Sequence, residues 1–179
     1  VDFYRSDNAI SNDYLYHNIG DSVILYTQDG KVLKQEEVSS YPCVGEDRPG
    51  LRYFRSVRTT GLNENTVVAL FSARPLNTGT SYMKMWMPAS SDVSYFTALA
   101  PGAKTASSPY QNKPSLVVTM RKEKTAVKEP FVAVYEPISD KVSAGLIESV
   151  DRVKLDPQGE EGCAIKVNTK EGDTFTLVN

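Results

Sequence analysis

The sequence has one histidine, His17, and two cysteines, Cys43 and Cys163. Structural zinc sites use four cysteine or histidine ligands, and the two cysteines lie far apart, so no self-contained site of this kind is expected. A Ser-His-Asp hydrolase would need His17 as its base, because no other histidine is present. A disulfide between the cysteines and two buried thiols are both compatible with the sequence.

The sequence also lacks long apolar runs and an excess of charge of one sign. No stretch approaches the ~18 consecutive apolar residues of a membrane-spanning helix, so no membrane partner is expected. Lysine and arginine total 20 against 22 acidic residues, a net charge of −2, which argues against a nucleic-acid partner. No P-loop, GxGxxG, GxSxG, HExxH or EF-hand motif is present.

The pattern of the 179 residues is β-like throughout. Short segments rich in Val, Ile, Tyr, Phe and Thr alternate with Gly, Pro, Asn and Asp clusters, and Asp29-Gly30 and Glu171-Gly172-Asp173 predict turns. We therefore expect an all-β fold: one antiparallel, multi-stranded β-sandwich domain of two packed sheets over residues 1–179, with little helix. The predicted strands are Tyr14–Ile19, Ser22–Thr27, Lys31–Val38, Arg52–Arg58, Thr66–Ala73, Ser81–Met87, Val93–Ala98, Ser115–Arg121, Pro130–Tyr135, Gly145–Leu155, Cys163–Asn168 and Thr174–Val178.

Strict alternation is clearest in Ser81–Met87. Its three methionines occupy one face of the predicted strand, and Tyr82, Lys84 and Trp86 occupy the other. Trp86 is a candidate substrate-binding residue, because an exposed indole ring can stack on a sugar. Packing in the core or at an interface is the alternative.

The densest arginine group comprises Arg48, Arg52, Arg55 and Arg58. Guanidinium groups bind carboxylates and sulfates bidentately, so Arg52 and Arg55 are candidate substrate-binding residues for an anionic polysaccharide. Regular alternation places Arg52 and Arg58 on one face of the strand and Arg55 on the other, which would interrupt the patch. Solvated residues paired with nearby carboxylates are the alternative.

His17 lies in the predicted strand Tyr14–Ile19, on a face shared with apolar neighbours. A hydrogen-bonded histidine in the core is one interpretation. The other is a metal ligand or an acid–base residue, with Asp2 or Asp13 as a second ligand or an orienting group.

Two N-terminal stretches, Asp2-Phe3-Tyr4-Arg5 and Asp13-Tyr14-Leu15-Tyr16-His17-Asn18-Ile19-Gly20, resemble the "D-x-F-R … H-D-Y-x-x-H-x-x-G" stretch of heparinase II/III-like polysaccharide lyases. Met85–Pro88, Pro114–Arg121 and Pro130–Pro137 resemble later strands of the same region, in the same order and spacing. Over most of its length the chain therefore resembles the C-terminal β-sandwich domain of these lyases.

The resemblance implies a parent chain that joins an N-terminal helical toroid domain to this sandwich and cleaves uronic-acid polysaccharides by β-elimination. Most catalytic residues of such lyases lie on the toroid or its junction, so no catalytic residue and no activity are expected of this fragment alone. The resemblance also implies a structural zinc in the full-length parent, with His17 as a ligand, and no cofactor in the isolated chain. Asn12 stands where the motif has its first histidine.

The chain begins Val1-Asp2-Phe3 without an initiator methionine, which predicts a piece of a longer protein. From the resemblance we expect the C-terminal part of a secreted or periplasmic polysaccharide lyase. Its expected partners are an anionic polysaccharide and the missing toroid domain. A stand-alone secreted carbohydrate-binding or interaction module is the alternative, and a free-standing hydrolase ranks third.

Overall fold

Thirteen β-strands and no α-helix make up the described part of the chain, which confirms the all-β prediction. The structure, a computed structural model, describes residues 2–4, 13–19, 22–39, 53–73, 80–101, 114–122, 130–138, 145–154 and 163–178, the first two ranges as backbone. Within these ranges, no helix has the length and apolar character needed to cross a membrane. The strands are β1 (Asp2–Tyr4), β2 (Asp13–Ile19), β3 (Ser22–Thr27), β4 (Glu36–Glu37), β5 (Arg55–Leu62), β6 (Val67–Ala73), β7 (Ser81–Met87), β8 (Val93–Ala100), β9 (Ser115–Lys122), β10 (Val134–Ile138), β11 (Ile147–Val153), β12 (Ala164–Thr169) and β13 (Thr174–Val178).

The strands form three antiparallel sheets. The first sheet has six strands in the order β1-β2-β9-β8-β5-β4, the second has four in the order β10-β7-β6-β3, and the third has β11-β12-β13. Both predicted turns are present: Gly30 and Gly172 have φ values of 89° and 90°, which only glycine adopts without strain. Their amides donate hydrogen bonds of 2.8 and 3.1 Å to the carbonyls of Thr27 and Thr169.

The first and second sheets pack face to face around the main core. The predicted alternation in β7 is confirmed, because Met85 and Met87 enter this core while Trp86 faces the other way. Tyr95 of β8 is fully buried in the same core. The buried members of this cluster are Leu25, Val67, Ala69, Phe71, Met85, Met87, Val93, Tyr95, Val118 and Met120.

The third sheet covers the other face of the second sheet. Its contact surface consists of Val150, Cys163, Ile165 and Val167, packed against Val68 and Trp86 of the second sheet. The second sheet is thus the middle layer, which explains why Val67, Val68 and Ala69 of β6 are all fully buried although they alternate between faces. The sandwich therefore has three stacked layers, where the sequence predicted two packed sheets.

Strands β4 and β5 form one edge of the first sheet. No residue of either strand belongs to the core between the first and second sheets among the described residues. Val57 of β5 packs instead on the outer face of the first sheet, with Phe96, Ala98 and Val117. One face of this edge is therefore left uncovered by the middle layer.

Candidate functional site

His17 lies in the middle of β2, between β1 and β9. Its Cα is opposite that of Val118, a residue whose side chain is buried in the main core. Asp2 is in register with Tyr16, and Asp13 with Lys122, so neither acid is directly opposite His17. Within the described ranges, no group of three or more His, Cys, Asp or Glu residues is arranged to hold a metal ion. A metal-binding role for His17 stays a prediction.

Trp86 is buried in the contact between the second and third sheets, with 3% of its surface exposed. Its indole Nε1 donates a hydrogen bond of 3.1 Å to Oε2 of Glu136, and the ammonium of Lys84 lies 5.6 Å from the ring centroid. A ring in this position presents no free face to a sugar. The structure thus places Trp86 in the packing role that the sequence left as the alternative to substrate binding.

Glu136 is a buried polar residue that joins the second and third sheets, with 7% of its surface exposed. It lies on β10, opposite Lys84 and diagonal to Trp86 on β7. Its Oε1 accepts hydrogen bonds from the backbone amides of Leu146 and of Ile147, the latter at 2.8 Å. The carboxylate of the second sheet thereby holds the start of β11 in the third sheet.

Gly145 packs closely against the carboxylate of Glu136. Its φ is +68°, and a Cβ atom added there would lie 2.5 Å from Oε1 of Glu136.

Burial raises the pKa of Tyr26 to about 12, and the negative charge of Glu136 contributes to the rise. Burial lowers the pKa of Lys84, an effect that Glu136 opposes and Lys170 reinforces. Because Glu136 is engaged by three donors, it acts as a structural contact between sheets rather than as an accessible acid or base.

Glu136 is not among the predicted site residues, although a pattern in the sequence marks it. Val134, Glu136 and Ile138 alternate along one strand, so a strand with this face buried must bury the acid between two apolar residues. A buried carboxylate needs hydrogen-bond donors or a positive charge nearby. Those donors come from Trp86 and from a turn in another sheet, which no local pattern identifies.

Arg152 and Lys122 form a second group of polar contacts within the protein. The guanidinium of Arg152 donates to the carbonyls of Ala89 at 3.3 Å and Pro130 at 3.0 Å. It also donates at 3.0 Å to the sulfur of Cys163, a free and buried thiol; Cys43 lies outside the described residues. The ammonium of Lys122, itself 1% exposed, contacts the hydroxyl of Ser90 at 2.5 Å. These cations are held by contacts within the protein, Lys122 fully buried and Arg152 half-buried.

Arg55 and Arg58, here termed the β5 arginine pair, are both exposed at the β4–β5 edge of the first sheet, whereas Arg52 lies outside the described residues. Arg55 is opposite Leu99 and Arg58 is opposite Thr97, so the partners on β8 are two residues apart while the arginines are three apart. The extra residue forms a β-bulge, at which Ser56 has a φ of 51°.

The bulge changes the direction of the arginine side chains. Residues two apart in β8 share a face, and directly opposite residues on paired strands share a face. Arg55 and Arg58 therefore lie on the same face of the sheet, and the expectation that alternation sends them to opposite faces is wrong. The exposed side chains that carry anion-binding chemistry are thus side by side on β5.

Comparison with known proteins gives a relative of named activity. A stretch of 143 residues, 76% of the chain, is 36% identical to an endo-acting ulvan lyase of Formosa agariphila. The chain spans 17% of the length of that lyase. No sequence profile of a protein family matches the chain, and no solved structure matches it. The chain is therefore related to a part of a polysaccharide lyase.

Proposed function

We propose that the chain is the non-catalytic β-sandwich portion of a heparinase II/III-like polysaccharide lyase that acts on uronic-acid-containing glycans by β-elimination. The observation that carries this proposal is the 36% identity to an endo-acting ulvan lyase over 76% of the chain. The all-β layered fold and the order of the motifs from Asp2 to Pro137 support it.

In a β-elimination, a base removes the proton next to the uronate carboxylate, a neutralising group stabilises that carboxylate, and an acid protonates the leaving oxygen. His17 is the one histidine in this sequence, so these roles fall to a helical toroid domain joined to the sandwich in the parent. In this proposal the sandwich supports the toroid and borders the substrate cleft. The parent is secreted or periplasmic, where a polysaccharide substrate is accessible, and His17 contributes to a structural zinc site there.

A stand-alone secreted carbohydrate-binding module is the second candidate. The observation that favours it is the exposed β5 arginine pair, which can bind acidic groups without help from another domain. The two candidates differ in whether the chain contributes to a lyase reaction when it is joined to a catalytic domain.

The isolated 179-residue chain is expected to release no unsaturated uronate from ulvan, because the proposal assigns the base, the acid and the carboxylate-neutralising group to the toroid domain. The measurement is the ultraviolet absorbance of the reaction mixture, with the Formosa agariphila lyase as the positive control. A rise in absorbance that disappears in the His17→Ala variant would contradict the proposal and assign catalysis to this chain.

A further inference from the structure

The β5 arginine pair has a defined spacing. Its partners Leu99 and Thr97 are two residues apart on β8, and a strand rises about 3.4 Å per residue. The two arginine backbones are therefore about 7 Å apart along one face of the sheet. The bulge at Ser56 makes this arrangement possible. In a regular strand, two residues three positions apart would lie on opposite faces.

The pair is also available to a ligand. Both side chains are exposed, and among the described residues no acidic side chain lies within ion-pair distance of either guanidinium. Glu37 of the short edge strand β4 is opposite Arg58, and it is itself exposed. Glu36 is opposite Thr59 and so faces the other side of the sheet. Among the side chains of β4 and β5, one acid thus shares this face with two cations, so the charge that these two strands place on it is net positive.

We propose that Arg55 and Arg58 form a binding site for two acidic groups of one glycan chain. Each guanidinium group binds a carboxylate or sulfate through paired N–H donors, and two such groups along a strand match a polymer that carries repeated acidic substituents. Only the identity of the glycan as a lyase substrate rests on the proposed function. The binding of acidic groups follows from the geometry of β5.

The test is the affinity of the 179-residue chain for ulvan, for the carboxylate-only glycan alginate and for neutral dextran, measured by isothermal titration calorimetry at low salt. Arg55→Gln/Arg58→Gln is expected to weaken ulvan binding about tenfold, because two charge-assisted contacts are lost. The control, Lys154→Gln/Lys166→Gln, removes the same charge from one exposed site on the third sheet and one directly after β11, and it is expected to change the affinity less than about twofold. Dextran is expected not to bind.

A second variant separates the arrangement of the arginines from their charge. The exchange Arg58→Thr/Thr59→Arg keeps both positive charges but moves one guanidinium group to the face that Phe96 occupies, so it is expected to weaken binding of ulvan while circular dichroism shows a β-sheet spectrum. The double glutamine variant is expected to fold, because both substituted side chains are exposed.

Several outcomes would overturn the inference. They are failure of the wild-type chain to bind any acidic glycan, unchanged affinity in the double arginine variant, and equal weakening by the lysine control, which would indicate non-specific charge attraction. A folded Arg58→Thr/Thr59→Arg variant with wild-type affinity would also overturn it. None of these results bears on whether the chain supports a lyase reaction, which a separate chimera measures.

Discussion

Replacing Glu136 with alanine is expected to lower the free energy of unfolding by about 3 kcal/mol. The substitution leaves the indole N–H of Trp86 and the amides of Leu146 and Ile147 without their acceptor. Trp86 is almost fully buried, so water cannot readily replace the lost bond. Because Trp86 is the sole tryptophan, its fluorescence during urea unfolding reports on this site directly.

The matched control is Glu148→Ala, which removes an exposed carboxylate from β11 and is expected to change the unfolding free energy by less than about 0.5 kcal/mol. Hydrogen exchange gives a second readout, since the amides of Leu146 and Ile147 should lose protection in the Glu136 variant. Equal stability of the Glu136 and Glu148 variants would show that Glu136 does not hold the third sheet.

Gly145→Ala is expected to lower the unfolding free energy by about 3 kcal/mol, from the strain of a positive φ and from displacement of the Glu136 carboxylate. The control is Gly172→Ala, because Gly172 also has a positive φ but an added Cβ atom there meets nothing within 4 Å. That substitution is expected to cost only the backbone strain, about 1 kcal/mol.

A double-mutant cycle isolates the carboxylate contact. In the Glu136→Ala background the obstacle to the new Cβ atom is gone, so Gly145→Ala should cost about as much as Gly172→Ala, about 1 kcal/mol. The cycle is measured by urea unfolding of the four variants. Additive costs for Glu136→Ala and Gly145→Ala would contradict the geometry at this turn.

The sequence predicts the β-class of the fold because alternation is a local property. In Ser81–Met87 the methionines and Trp86 separate onto opposite faces, as the pattern indicates. The number of layers cannot be predicted from local alternation. The pattern in β11 to β13 indicates an apolar face but not the sheet against which that face packs. The consecutive apolar residues Val67, Val68 and Ala69 do indicate a strand that is buried on both faces.

The arginine surface shows where alternation fails. The assignment of Arg55 and Arg58 to opposite faces assumed regular pairing, and the bulge at Ser56 breaks that assumption. Bulges often carry glycine at a positive φ, but here the residue is serine, so the residue type does not indicate a bulge at this position. Trp86 posed a different problem, because an indole serves equally well in a core and on a sugar-binding surface, and only its partner Glu136 decides between them.

The most direct test of the proposed function is a chimera of the Formosa agariphila ulvan lyase in which the matched segment is replaced by this chain. Removing the segment is expected to reduce ulvan cleavage at least about a hundredfold, and the chimera is expected to recover cleavage to within about tenfold of the parent lyase. The rate is measured from the ultraviolet absorbance of the unsaturated products. Full activity of the lyase without its matched segment, or a folded but inactive chimera, would contradict a supporting role for this sandwich in a polysaccharide lyase.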